Sequence, residues 1–343
     1  MKELIKKLVE AWGPSGYEHH MRELIKAEVK GLCDDMVVDP MGSLICRVGT
    51  KTDNNLRIMV AAHMDEIGLM VSHIDRNGFL RFTNVGGLIP STLNGNRVKF
   101  ENGIIGTIAV ENMWSKPYEL PKLDGFYIDV SEGLNGDSGN KNAPIHVGDP
   151  AGFYRTFEER GNRLIAKSMD DRIGCVVAIE AMRKLKKLGS KHEVYFAFTV
   201  QEEVGLRGAR PAAHGINPDL GIALDVTGSG DTLKGDYMAV ALGKGAAIKA
   251  RDAGMIVPPA VKNLMVDTAE KNKIPYQIEI LNGGSTDASA IQTAQSGVPS
   301  GCISIPCRYV HTVNETVDII DVQASVDLLA AMLSNPIAGV KPV

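Results

Sequence analysis

Glu202 and Glu203 close an apolar, aromatic-rich run, EVYFAFTVQEEVG at 193–205. A run of that length reads as a strand buried on both faces of a mostly parallel sheet, with its charges at the carboxyl end. In open α/β sheets that edge is where ligands bind. The pattern recurs along the chain. RIMVAAH at 57–63 leads into His63-Met64-Asp65-Glu66, LGIALDV at 220–226 carries Asp225 at its exit, and His311 follows soon after the strand at 301–305. Asp170 stands just before an apolar helix at 173–188. Parallel strands share one carboxyl edge, so these residues can converge although they lie far apart in sequence. Two histidines with three or four carboxylates suit a pair of divalent metals, Zn²⁺, Co²⁺ or Mn²⁺, and are too nitrogen-rich for a dedicated Ca²⁺ site. Burying that many carboxylates together would raise their pKa values strongly unless cations neutralised them.

Each residue alone has an ordinary explanation. His63 could be a satisfied core histidine, Asp170 or Asp171 a helix N-cap, Asp225 a loop acid, and Glu202-Glu203 the start of a solvated loop. Their meeting at one sheet edge is what points to metal chemistry.

The elements that must position them alternate between helix and strand. A first helix, with Leu4, Ile5, Leu8, Val9 and Trp12 on one face, stops at Gly13-Pro14. Ser15-Gly16-Tyr17-Glu18 has the pattern of a capping box opening a second helix through Met21, Leu24, Ile25 and Val29. His19 and His20 in its first turn read as helix-surface histidines. From residue 68 to residue 162 short alternating runs (GFLRF, NRVKF, GIIGTIAV, GFYIDV) are separated by turn signals, with hardly a helical period among them. This segment is expected to be a small all-β unit, a barrel, sandwich or PDZ-like module. Helix–strand alternation stops before it and resumes after it, which makes it an insertion into one α/β/α domain formed by residues 1–67 and 163–343. The last helix is amphipathic, with Asp321 expected as its cap.

Composition narrows the function classes. The chain has 343 residues, 44% of them hydrophobic and 23% charged, and a net charge of −4, which offers nothing to nucleic acid or to an anionic membrane. The cations at 183–191 sit at a helix end, where they complement the dipole, and read as a solvated face. The five cysteines are scattered and lack CxxC spacing, which excludes a disulfide framework and a thiolate zinc site. No signal-peptide segment opens the sequence and no run is long enough to span a bilayer, so a cytoplasmic protein is expected.

The motifs HMDEIG at 63–68, KSMDDRIG at 167–174, QEEVGLRGA at 201–209, ALDVT at 223–227, GGSTDA at 283–288 and RYVHTVNE at 308–315 follow in fixed order. In that order and spacing the chain resembles the M42 family of metallo-aminopeptidases, and GPSGYE at 13–18 and the β insertion share the likeness. The resemblance implies that His63, Asp170 and Asp225 hold one metal and that Asp170, Glu203 and His311 hold the other, with Asp170 bridging. It implies that Asp65 orients the His63 imidazole through its other ring nitrogen, and that Glu202 is the general base. The family commonly has Asp-Asn-Arg where this chain has Asp170-Asp171-Arg172. Dimerisation through the insert and assembly of dimers into a tetrahedral dodecamer are further implications.

The expected activity is therefore removal of the N-terminal residue from short peptides by a metal-bridged water, with Glu202 taking its proton. Two divalent ions per subunit, Zn²⁺ or Co²⁺ with Mn²⁺ also admitted, would be the cofactors. A leucine-type side chain is favoured over an acidic one. The alternative is a glycoside hydrolase using the paired carboxylates, since some members of the family bear cellulase names. Against it, adjacent side chains at a strand end point in opposite directions and aromatic residues make up only 5% of the chain. A catalytically silent scaffold is a third reading, opposed by the intact ligand set. Gly283–Asp287 is a helix-opening turn that could shape the substrate pocket, and Arg308 and Tyr309 stand where they could touch substrate.

Overall fold

The computed structural model describes residues 1–115, 121–130, 144–235, 237–337 and 340. Helices α1 (Lys2–Val9) and α2 (His19–Val29) precede β1 (Asp35–Val38), β2 (Leu44–Val48) and β3 (Arg57–His63). Six strands follow: β4 (Gly68–Ile74), β5 (Leu80–Val85), β6 (Arg97–Phe100), β7 (Ile105–Val110), β8 (Phe126–Asp129) and β9 (Pro150–Phe153). The chain then gives β10 (Glu158–Arg160), β11 (Arg163–Ala166), α3 (Met169–Leu188), β12 (Glu193–Thr199), α4 (Ala209–Ile216) and β13 (Leu220–Thr227). It finishes with β14 (Ala246–Arg251), α5 (Pro259–Asn272), β15 (Tyr276–Ile280), α6 (Asp287–Gln292), β16 (Ser300–Arg308), β17 (Glu315–Asp318) and α7 (Ile319–Ser334).

The strands outside residues 68–153 form one 11-stranded sheet with helices on both faces. Its centre, in the order β12-β3-β13-β16, is parallel throughout. In β3, Ile58, Val60 and Ala62 pack towards α1, α3 and α7, and Met59 and Ala61 towards α4 and α6. Both faces of such a strand are buried, which is why RIMVAAH reads as an unbroken apolar run. The expected mostly parallel sheet is corrected at its margins. β1, β2, β10, β11 and β17 pair antiparallel, as does β14 with β16, so the sheet as a whole is mixed. Short hairpin-like connections such as residues 39–43 allow no parallel crossover, and antiparallel edges follow from them.

Strands β4–β9 close into a six-stranded antiparallel barrel in the order β4-β5-β8-β7-β6-β9. Leu69, Phe82, Val98, Phe100, Ile108, Phe126 and Ile128 fill a second hydrophobic cluster of its own. Closure leaves no free edge on these short strands.

Two local expectations change. Ser15 and Glu18 do not cap α2: the Ser15 hydroxyl donates to Asp65, and the Glu18 carboxylate accepts from the backbone N–H of Gly16 (2.7 Å) and Gln201 (3.0 Å). Both groups are drawn from the helix end to the sheet edge. The cap of α7 is Asp318, accepting from Ile320, whereas Asp321 accepts from Gly243 and Gly245 at 2.7 Å each. All five cysteines are free. No described helix is long and apolar enough to cross a membrane.

Candidate active site

The four parallel strands deliver their polar exits to one edge. β3 ends on His63, the turn after β12 carries Glu202 and Glu203, Asp225 lies near the end of β13, and His311 follows β16. Asp170 is added from the opposite direction. It opens α3 with non-helical backbone angles, so its carboxylate leaves the helix axis and enters the same space.

Asp170 stands between the two histidines. Its Oδ1 lies 3.0 Å from His63 Nε2, and its Oδ2 lies 3.3 Å from His311 Nε2. His311 Nε2 is also 3.2 Å from Glu203 Oε2. On the other side, His63 Nε2 is 3.7 Å from Glu202 Oε2 and 4.0 Å from Asp225 Oδ1. Every predicted site residue is therefore in one cluster, and all but the half-buried His311 are shielded from solvent.

Asp65 holds the cluster from behind. Its backbone carbonyl and its Oδ1 lie 3.2 and 3.4 Å from His63 Nδ1. Its carboxylate also accepts from Ser15 Oγ (2.6 Å) and from the backbone N–H of Glu202 (3.0 Å) and Glu203 (3.2 Å). One buried acid thus orients an imidazole and fixes the turn bearing both glutamates. Asp171 is occupied in a different way, accepting from the N–H of His63 (3.2 Å) and of Gly174 (3.0 Å). Both its oxygens are engaged by backbone, which leaves Asp170 as the carboxylate facing the centre.

Charge in this space is unbalanced. Burial pushes the Glu202 and Asp225 carboxyls well above the ordinary range, reinforced at Glu202 by Asp225 and Asp287 and at Asp225 by Asp170. Burial opposes a charged His311, but Asp170 and Glu203 outweigh it and its pKa is pushed up to about 12. At Asp170 the two histidines outweigh burial and hold the carboxyl below its usual value. Glu203 Oε1 and Asp287 Oδ1 are buried with no hydrogen-bond partner. Orphan acceptors beside an excess of buried carboxylates, with two imidazole nitrogens among them, are what a divalent cation site requires. His63, Asp170 and Glu203 present ligand atoms within 4.8 Å of one another. The donor set fits metal.

Three contributors escape the strand-end pattern. Glu315, at the start of β17, accepts from the N–H of Asp170 (3.0 Å) and of His311 (2.8 Å), one through each oxygen. Burial, with the Asp170 charge added, pushes its pKa up to about 8. Asp287, at the start of α6, accepts from Thr199 Oγ1 at 2.5 Å. The third is the Gly86-Gly87 turn that leaves β5 of the barrel. A Cβ on Gly87 would stand 2.8 Å from His311 Nδ1, and one on Gly86 would stand 3.1 Å from Glu203 Cβ. The signals were present in RYVHTVNE, GGSTDA and NVGG, but nothing local tells an acid that grips backbone from one that faces solvent. Arg308 is committed to Asp231 (2.7 and 2.9 Å), while Tyr309 is 56% exposed beside the centre.

Strain gathers here as well. Ser168, Gln201, Tyr309 and His311 adopt left-handed backbone at φ of 56°, 55°, 61° and 62°. Such conformations cost about 1–3 kcal/mol each and persist where the surroundings over-determine them.

Two outcomes follow. Glu315→Gln presents an NH₂ to one of two backbone N–H donors, and metal affinity is expected to fall about 10–100-fold, as for other lost supports of ligands. Gly87→Ala forces the His311 ring aside and should cost a similar factor. Competition against a chromophoric chelator measures both, and unchanged affinity in either variant would show that the corresponding contact does not hold the ligand.

Comparison with known proteins agrees with this geometry. The model of the M42 glutamyl aminopeptidase family matches residues 42–328. A lysyl aminopeptidase of Pyrococcus furiosus is 34% identical over 344 residues, 97% of this chain and 96% of that protein. The solved aminopeptidase of the archaeon Desulfurococcus kamchatkensis is 39% identical, with a TM-score of 0.90 over 97% of this chain and 94% of its own. The Pyrococcus horikoshii TET1 peptidase, which can assemble into a tetrahedron or a large octahedral shell, is 34% identical, with a TM-score of 0.86 over 97% of this chain and 98% of its own. A sheet edge with this ligand-like cluster, a barrel inserted directly after β3 and likeness over nearly the full length leave one conclusion: the chain belongs to the M42 family of aminopeptidases and is a peptide hydrolase.

Proposed function

We propose that this protein removes the N-terminal residue of short peptides with two divalent metal ions, Zn²⁺ or Co²⁺ with Mn²⁺ admitted, held by His63, Asp170, Glu203, Asp225 and His311. The observation that carries the reading is the Asp170 carboxylate, which turns one oxygen to each histidine. His63 and Asp225 complete one side, and Glu203 and His311 the other. When bound, the ions supply Lewis-acid polarisation and lower the pKa of water.

The chain's own residues do the rest. Glu202 Oε2 accepts the proton of the attacking water and returns it to the leaving amine. Asp65 keeps the His63 ring in place through Nδ1 and fixes the backbone of Glu202 and Glu203. Neighbouring glutamates can differ in role because Glu203 Oε2 is drawn to His311, whereas Glu202 has no such partner within hydrogen-bond distance. That division also counts against the glycoside-hydrolase alternative, which needs both carboxyls free to flank one bond. Acids around the centre, Asp287 among them, give a free α-amino group a place to bind.

The insert, taken from sequence as residues 68–162 with its barrel strands within residues 68–153, is assigned to self-association. Supporting this, Trp114, in the turn after β7, is 88% exposed beside the exposed Met113, and the two line one surface depression with Pro90 and Ser91, next to the exposed Ile89. Apolar side chains grouped on an otherwise polar surface mark contact faces. Trp114→Glu is expected to lower the mass in solution measured by light scattering, from a tetrahedral dodecamer or a dimer towards the monomer. An unchanged mass would remove Trp114 from the interface.

The activity itself is tested with aminoacyl-p-nitroanilides of leucine, lysine and glutamate, using metal-stripped protein with each ion added back and an N-acetylated control. Metal-dependent release from free-amine substrates alone is the expected result. Release from the acetylated control, or from a soluble β-glucan in place of the panel, would overturn it.

A further inference from the structure

His19 and His20 open α2 and were read above as surface histidines, yet their rings converge. Their centroids are 4.3 Å apart, and both Nε2 atoms approach the same oxygen, Glu101 Oε1, at 2.9 Å from His19 and 3.3 Å from His20. Neighbouring residues on a helix point about 100° apart, so two adjacent side chains reaching one acceptor is not what helix geometry alone produces. Glu101 comes from the turn after β6, in the barrel. The cluster therefore straddles the seam between the sheet body and the insert.

The spacing is that of a metal site. Bonds of about 2.0–2.1 Å in a tetrahedron set donor–donor edges of about 3.3 Å. Two of the three edges here are 2.9 and 3.3 Å, and all three donor atoms lie within 4.8 Å of one another. Two imidazoles and one carboxylate form the borderline donor set preferred by Zn²⁺, Ni²⁺ and Cu²⁺. Each side chain is partly exposed, so an ion and the waters completing its shell can arrive directly from solvent.

The seam is already held in register at this point. Trp12 Nε1 donates to the carbonyl of Lys99 at 2.9 Å, two residues before Glu101, and the Trp12 ring meets His20 edge-on at 6.1 Å. A fixed joint of this kind keeps ligands from two parts of the fold within reach of one ion.

We propose that His19, His20 and Glu101 form an outer divalent-metal site, sharing no ligand with the inner centre, that clamps α2 to the barrel. The chain has two tryptophans, so Trp114→Phe leaves Trp12 as the sole indole reporter beside the site. In full-length Trp114→Phe protein whose inner centre has been filled with Zn²⁺ and dialysed, Cu²⁺ or Ni²⁺ is expected to quench Trp12 fluorescence. Quenching should saturate with one additional bound ion per chain by elemental analysis and reverse with chelator. Adding His19→Ala and His20→Ala should abolish both the quenching and the additional ion while the inner Zn²⁺ stays. Glu101→Gln should weaken binding by about tenfold or more. Equal quenching and equal metal content in the histidine variant, or no saturable quenching in its parent, would overturn the proposal.

Discussion

Glu202→Gln is expected to keep its bound metal and to lower kcat by a factor on the order of 10²–10⁴, the usual contribution of a positioned proton carrier. The amide keeps the shape of the side chain and the backbone bond from Glu202 to Asp65, but it cannot take a proton. Glu202 Oε2 is 3.7 Å from His63 Nε2, too far for a hydrogen bond, so removing its charge breaks no pairing in the cluster. Parallel measurements of turnover and of metal by elemental analysis separate the two properties. Full metal with little turnover assigns Glu202 to proton transfer. Loss of metal would mean that Glu202 and Glu203 have been exchanged, and Glu203→Gln would then keep the ions.

Asp170→Ala should have the opposite signature, with both ions lost together. Among the described residues Asp170 is the one carboxylate facing His63 and His311 at once, at 3.0 and 3.3 Å, so under the proposed ligand assignment its removal takes a ligand from both sides of the centre. Metal affinity is expected to fall by more than the roughly 100-fold associated with losing an outer support, and peptide hydrolysis should fall with it. The backbone bond from Asp170 to Glu315 remains, and far-ultraviolet circular dichroism should be unchanged. One ion retained at full affinity would show that the two sides are independent and that Asp170 does not bridge them.

Much of this centre was legible from sequence because parallel strands impose a simple rule. Runs such as RIMVAAH and EVYFAFT have no solvated face, so polar residues can appear only at their ends, and parallel ends meet. His63, Glu202, Glu203, Asp225 and His311 all follow that rule, and Asp170 enters through its place at the start of an apolar helix. An inserted all-β unit was equally plain in its alternating runs and regular turns, but such runs do not tell a closed barrel from a sandwich. What stayed hidden depends on long-range pairing. Antiparallel margins such as β11 with β17 join segments separated by much of the chain, and strand sequences do not state their partners. Glu18 and Ser15 have the spacing of a capping box, but the sheet edge offers Asp65 and the Gln201 N–H, and tertiary pairing wins over a local cap. Glu315 has no apolar run before it and could have been any surface acid. Only the fold shows that its two oxygens grip the backbone of Asp170 and His311.

The Gly86-Gly87 turn makes the insert more than an attachment to the sheet body. Its backbone lies so close to His311 and Glu203 that no side chain fits between them, which makes the barrel one wall of the reaction chamber. Such an insert is not a cassette that can be traded between relatives on its own. A chimera carrying a foreign barrel would replace that wall while leaving every proposed metal ligand in place, and the two halves of the seam must therefore change in step as sequences diverge.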